Sequence, residues 1–170
     1  GYCFYGCGSL KEITIPSSIT SIGDFFLYLC ISLTKITIPS SVTSLGNVAF
    51  IHVVIERNKI PPLVTSISDY CFNTCSSLTE ITIPSSVTSI GKASFKGCTS
   101  LEKLLFEEPS SLVSIYDNAF ANCSSLAQVT IPSSVTSIGQ YQFSECTLLT
   151  QVTIPHSVTL IEKGFFTNVH

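Results

Sequence analysis

Apolar side chains return along this chain in a fixed order. The alternating segments Ile13-Thr14-Ile15-Pro16, Ile36-Thr37-Ile38-Pro39, Ile81-Thr82-Ile83-Pro84, Val129-Thr130-Ile131-Pro132 and Val152-Thr153-Ile154-Pro155 are near copies of one another. Cysteines recur with them: Cys7, Cys30, Cys75, Cys98, Cys123 and Cys146 stand 23, 45, 23, 25 and 23 residues apart. The gap of 45 contains a degenerate unit with Val53 in the cysteine place, and Val169 falls 23 beyond Cys146. Self-similarity at such a period marks supersecondary units that stack on one another.

Each part of the unit predicts a piece of local structure. The period-two alternation Ile81-Thr82-Ile83 predicts a strand with one buried face. Pro84 ends it, because it lacks the N–H that a ladder needs and fixes its own φ. Ser85-Ser86 supply a polar turn, and Val87 and Ile90 bring the chain back to the core. A glycine follows in four units (Gly23, Gly46, Gly91 and Gly139), where a corner with φ > 0 is expected. Phe95 and Cys98, three apart, predict a short 3₁₀ or single α turn with both side chains inward.

One unit cannot bury its own apolar residues, but stacked copies can. Strands of successive units then pair in parallel about 4.8 Å apart, so some seven turns extend roughly 35 Å. Like residues become internal ladders. Phe4, Leu27, Phe50, Phe72, Phe95, Phe120, Phe143 and Phe166 form one, and Leu10, Leu33, Leu78, Leu101, Leu126 and Leu149 another. The expected architecture is one repeat solenoid over residues 1–170, degenerate at 51–68.

Composition sharpens this picture. Hydrophobic residues make up 45% and charged residues only 11%, so Ser and Thr must cover much of the surface. No uninterrupted apolar run approaches the ~18 residues of a spanning helix, so no membrane insertion is expected within this segment. Net charge is −3 without a basic run, which removes the electrostatic footprint of nucleic-acid binding. The chain has no Met and begins partway through a unit, so it is expected to be a fragment of a longer array. Neither end carries a polar capping unit, and end-to-end self-association is expected where sheet edges lie open.

The pattern L-x-x-I-x-I-P-x-x-V-x-x-I-G-x-x-x-F-x-x-C resembles the BspA-like class of leucine-rich repeats over essentially the whole chain. The resemblance implies a right-handed superhelix with a parallel β-sheet on its concave side. It also implies short β and 3₁₀/α turns on the other faces. The family occurs in surface proteins of bacteria and parasitic protists, where some members act as adhesins for host matrix proteins, and the repeat itself carries no catalytic residues. Two stretches depart from the pattern. Ile60-Pro61-Pro62 replaces the usual strand within residues 51–68, and Phe106-Glu107-Glu108-Pro109 carries a two-residue insertion. Both are expected to bulge or bend the stack.

Candidate chemistry is sparse. Stacked cysteines fall within the Cα range a disulfide allows, yet their side chains point in parallel, and Cys alternates with Val in this column, so buried free thiols are expected. Cys3 and Cys71 form C-x-x-x-C pairs with Cys7 and Cys75, but three repeats separate the pairs and no His stands beside them, so no metal is expected. His52, His156 and His170 lie in different columns and turns, which assembles no catalytic constellation. No phosphate-binding glycine loop is present, and no cofactor is expected.

The candidate binding face is the outward side of the main strands. Thr14, Thr37, Thr82, Thr130 and Thr153 form a column flanked by Glu12, Lys35, Glu80, Lys103, Gln128 and Gln151. Thr suits exposed β positions in any case, but solenoids commonly bind through such faces. A flat Thr ladder can also suggest ice binding, but Lys59 and Leu105 interrupt this one, which argues against it. Phe25-Phe26-Leu27-Tyr28-Leu29 is greasier than its counterparts and reads either as a partner patch or as a rearranged turn. Asn122-Cys123-Ser124 matches a glycosylation acceptor whose Cys should be buried. The function expected is a non-catalytic protein-interaction module, the adhesin-like region of a surface or secreted protein. The alternative is an intracellular, cytoplasmic scaffold.

Overall fold

The fold follows from stacking like residues on like. The computed structural model describes residues 3–33, 36–53 and 59–169. Among the described residues ten short strands occur: β1 (Ser21–Ile22), β2 (Ser44–Leu45), β3 (Ser66–Ile67), β4 (Glu80–Ile83), β5 (Ser89–Ile90), β6 (Lys103–Phe106), β7 (Ser114–Ile115), β8 (Gln128–Thr130), β9 (Ser137–Ile138) and β10 (Gln151–Thr153). All pairings are parallel. The main strands pair as β4 with β6 and β8 with β10, and a second face carries β1 with β2 and the ladder β3-β5-β7-β9. The chain is therefore a parallel-stranded repeat solenoid, as its 23-residue pattern predicts.

The core is the set of ladders. Phe50, Phe72, Phe95, Phe120 and Phe143 are fully buried, and their rings stack with centroids 5.2–6.1 Å apart, an offset spacing that adds to the apolar burial. Leu33, Leu78, Leu101, Leu126 and Leu149 are buried as well. Val53 takes the cysteine place in the degenerate unit and is also buried.

Two local expectations are corrected. The stretch from Phe to Cys is neither a 3₁₀ nor an α turn. It is a run of β-turns with two left-handed residues per unit, for example Tyr70 (φ 55°) and Thr74 (φ 55°), and no helix occurs among the described residues. The reason lies in the hydrogen bonds. Tyr70, Phe72 and Thr74 donate their N–H groups to Lys92, Ser94 and Lys96 in the next turn, whereas a helical turn would spend those donors within its own segment. The third face is thus also a ladder between turns.

The corner glycines are the second correction, because none of the four has a positive φ. A Cβ on Gly91 would stand 2.7 Å from both the N and the Oδ1 of Asp69 in the preceding turn. Gly139 meets Asp117 in the same way. Glycine is needed there for close approach between turns, not for its dihedral freedom. The approach lets each aspartate bridge two turns, since Asp24, Asp69 and Asp117 accept the N–H of Asn47, Lys92 and Gln140 at 2.7–2.8 Å.

Candidate binding face

The alternation of the main strands sends Ile81, Ile83, Leu104 and Val129 into the core and their neighbours outward. Of the candidate residues, Glu12, Thr14, Thr37, Lys103, Gln128, Thr130, Gln151 and Thr153 are exposed, while Glu80 and Thr82 are half-buried. Lys35 lies outside the described residues. Register aligns Glu80 with Lys103, Gln128 with Gln151 and Thr130 with Thr153. Lys103 Nζ and Glu80 Oε2 approach to 3.8 Å with side chains 65% and 41% exposed, an exposure at which such a pair contributes little stability. Both charges remain accessible to a partner.

Thr82 aligns with Leu105, which is 45% exposed, and forms an isolated bridge with Lys59 on its other side. The Thr column is therefore interrupted in space where it is interrupted in sequence. One feature lay beyond sequence reasoning. Between β6 and β8 the main sheet is unpaired and opens a groove of about 470 Å³ lined by Lys103, Leu105, Phe106 and Glu108 on one side and by Gln128 and Thr130 on the other. The two-residue insertion was its only signal in the sequence.

All eight cysteines are free thiols; Cys3 and Cys7 are exposed and the other six buried. Each buried ladder thiol donates to the carbonyl of a phenylalanine in the preceding turn: Cys30 to Phe4, Cys75 to Phe50, Cys98 to Phe72, Cys123 to Phe95 and Cys146 to Phe120, at 2.9–3.3 Å. Burial pushes the thiols up, Cys75 to about 12 and Cys146 to about 11. Cys71, Cys98 and Cys123 rise well above the ordinary value for the same reason, with neighbouring cysteines adding to the effect. These groups stay protonated at neutral pH and serve as hydrogen-bond donors, the opposite of a nucleophilic cysteine. Among the described residues, no three His, Cys, Asp or Glu side chains gather as a metal site requires. His52 and His156 lie exposed on different turns, and His170 is outside the described residues.

At the greasy segment Leu27 is buried, Phe25, Phe26 and Tyr28 are half-buried, and Leu29 is exposed. The Tyr5 and Tyr28 rings lie 5.4 Å apart. Cys123 of the glycosylation triplet is fully buried, and Asn122 is exposed in the left-handed region at φ 57°. No helix among the described residues is long and apolar enough to cross a membrane.

Stacked parallel strands, buried Leu and Phe ladders and an outward polar strand face define a leucine-rich repeat protein. The sequence profile of the BspA type leucine rich repeat region matches in six copies, over residues 1–109 and 65–170, and the chain belongs to that family. No curated protein matches the chain. Among solved structures it is similar to a T. pallidum leucine rich repeat protein, with 32% identity, TM-score 0.62, and 88% of this chain and 60% of that one covered. It is also similar to the pneumococcal vaccine antigen PcpA, with 32% identity and TM-score 0.59, over 71% of this chain and 29% of the antigen. A leucine rich cell surface protein of Faecalibacterium prausnitzii shares the fold at 24% identity, TM-score 0.55, and 98% and 60% coverage. The chain thus spans less than two thirds of each of these proteins.

Proposed function

We propose that this chain is a non-catalytic protein-interaction module, the adhesin-like, ligand-binding region of a surface or secreted protein. The observation that carries the reading is the main-strand face. Lys103, Gln128, Thr130, Gln151 and Thr153 project outward from a backbone fixed by a fully buried core, so a partner meets side chains whose positions are already set. Such preorganisation lowers the entropy cost of association. The likeness to a vaccine antigen supports a surface setting, and host matrix or cell-surface proteins are the partners this reading names.

The test is binding of the chain to immobilised matrix proteins, compared with the variants Lys103→Ala, Gln128→Ala and Thr130→Ala. Lys92→Ala, on the turn face, serves as the control. Main-face substitutions are expected to weaken binding about tenfold where they fall at the centre of the contact. A partner that binds all four variants as tightly as the unaltered chain sinks the assignment of this face.

The free thiols favour a second reading, an intracellular scaffold. Oxidising compartments tend to pair cysteines, and here the exposed Cys3 and Cys7 are unpaired. Thiol titration of the protein isolated from its native source separates the two: a Cys3–Cys7 disulfide speaks for the surface, and two free thiols for the cell interior.

A further inference from the structure

On the main face the solenoid splits between β6 and β8, and the geometry points to that split as a receptor for an extended strand of a partner protein. On the second face β5, β7 and β9 pair without interruption. In the core Phe120 and Phe143, from the same two turns as β6 and β8, stack at 6.1 Å. On the main face, β6 and β8 share no strand pairing, and among the described residues no backbone hydrogen bond joins them. The opening is therefore a wedge, closed at the core and open on the face already proposed to bind partners.

Its cause is local. From Ile83 to Ser89 the chain takes six steps, but between their register partners Phe106 and Ser114 it takes eight. The two extra residues fall in 107–111, directly after β6. A longer loop at one corner enlarges that turn relative to the next, so the two cannot lie flush along their whole perimeter. The same loop provides the slack by which the wedge can widen.

The walls of the wedge are strand edges. Lys103 and Glu107 donate to Thr79 and Ile83, which points their backbone groups toward β4. Those of Leu104 and Phe106 then point into the groove, since backbone groups alternate along a strand. Gln151 donates to Ala127, and Ile131 to Thr153, so Gln128 and Thr130 face the groove from the other side. Each edge offers N–H and C=O groups spaced to pair with an added strand. A segment of three to four residues matches the lengths of β6 and β8. Its insertion needs roughly 9.6 Å between them, twice the strand spacing. Since their Cα atoms now approach within 8 Å, the wedge must widen to admit it. Side chains directed inward would join the column of Leu104 and Val129 and must be apolar. At the end beside Glu108, which is exposed and lines the groove, a Lys or Arg is favoured. The occupant is thus an extended, centrally apolar peptide segment with a basic residue at one end.

This inference rests on the reading of the main face as the interacting one, and the test separates the two. Linear seven-residue peptides displayed on phage are selected against the intact chain, and the strongest is synthesised with and without N-methyl groups on alternate amides. The expected result has three parts. The unmodified peptide slows amide exchange at Leu104, Phe106, Gln128 and Thr130, N-methylation weakens binding at least about tenfold, and the selected sequences carry the apolar centre and basic end. The double variant Leu105→Cys/Thr130→Cys, made with Cys3→Ser and Cys7→Ser, is stapled across the wedge by a short thiol-reactive crosslinker with a reducible centre, because stacked side chains run in parallel. It should lose the peptide when stapled and regain it when the crosslinker is reduced, which controls for folding within one protein. Failure to select any peptide, or binding indifferent to N-methylation or to the staple, overturns the insertion. A whole protein partner that survives the staple but is weakened by Gln128→Ala leaves the broader reading standing while removing this one.

Discussion

At Val48 the backbone sits at φ 59°, in a region that costs an L-residue about 1–2 kcal/mol and suits a β-branched side chain least of all. The position belongs to the turn face, where the left-handed conformation aims an N–H at the next turn: Val48 donates to Asp69 at 3.1 Å. Its counterpart in another turn is Asn118, at φ 58°, a residue that tolerates this conformation. Val48→Asn is therefore expected to stabilise the chain by about 1 kcal/mol, read as a higher urea midpoint at unchanged slope. Gly91 shows the opposite constraint. Gly91→Ala forces a Cβ against the Asp69 backbone, and the overpacking should cost about 1–3 kcal/mol. If Gly91→Ala left the denaturation midpoint in place, close approach would not be the reason for glycine there.

Elements in this molecule are very short, since no strand among the described residues exceeds four residues. None would persist alone; pairing with the same element one turn away holds each of them. That makes the β6–β8 break informative. Amides of Gln128 and Thr130 that face the wedge should exchange with solvent faster than those of Val129 and Ile131, which face β10. Exchange resolved by residue checks this, because local opening governs protection. Equal protection along β8 would show that the wedge is closed in solution. The strands themselves were legible in the sequence through the Ile-Thr-Ile alternation. The second sheet was legible only as a return of Val and Ile to the core, because two residues such as Ser89-Ile90 carry too little alternation to declare a strand.

Across the whole molecule the cysteine ladder links stability to pH. A thiol whose pKa is higher in the folded state holds its proton longer there. Its contribution is therefore whole below the unfolded value of 9.0 and is lost as pH climbs toward about 11 at Cys146 and about 12 at Cys75. Above pH 9 each buried thiol should cost up to about 1.4 kcal/mol per pH unit. Urea unfolding at pH 7 and pH 10 is expected to show a large fall in the midpoint, and Cys75→Val should lessen it. An identical fall in that variant would assign the alkaline sensitivity to other groups.

The repeat period, the identity of the buried ladders and the outward columns follow from the sequence alone, because in a stack each residue's neighbours are its own counterparts one period away. Cys98 lies between Cys75 and Cys123, and Phe95 between Phe72 and Phe120, wherever the chain closes a turn of 23 residues. What only the tertiary structure decided were the quantities that depend on how two turns meet. The glycine corners turned out to answer to the aspartate of the turn before. The Phe-to-Cys stretch spends its donors between turns instead of within a helix. The two-residue insertion opened the main sheet while leaving the core and the β7–β9 pairing intact. Periodicity fixes which residues face each other, but the spacing between facing backbones depends on the shape of each turn, and a pattern of apolar and polar positions carries no measure of that shape.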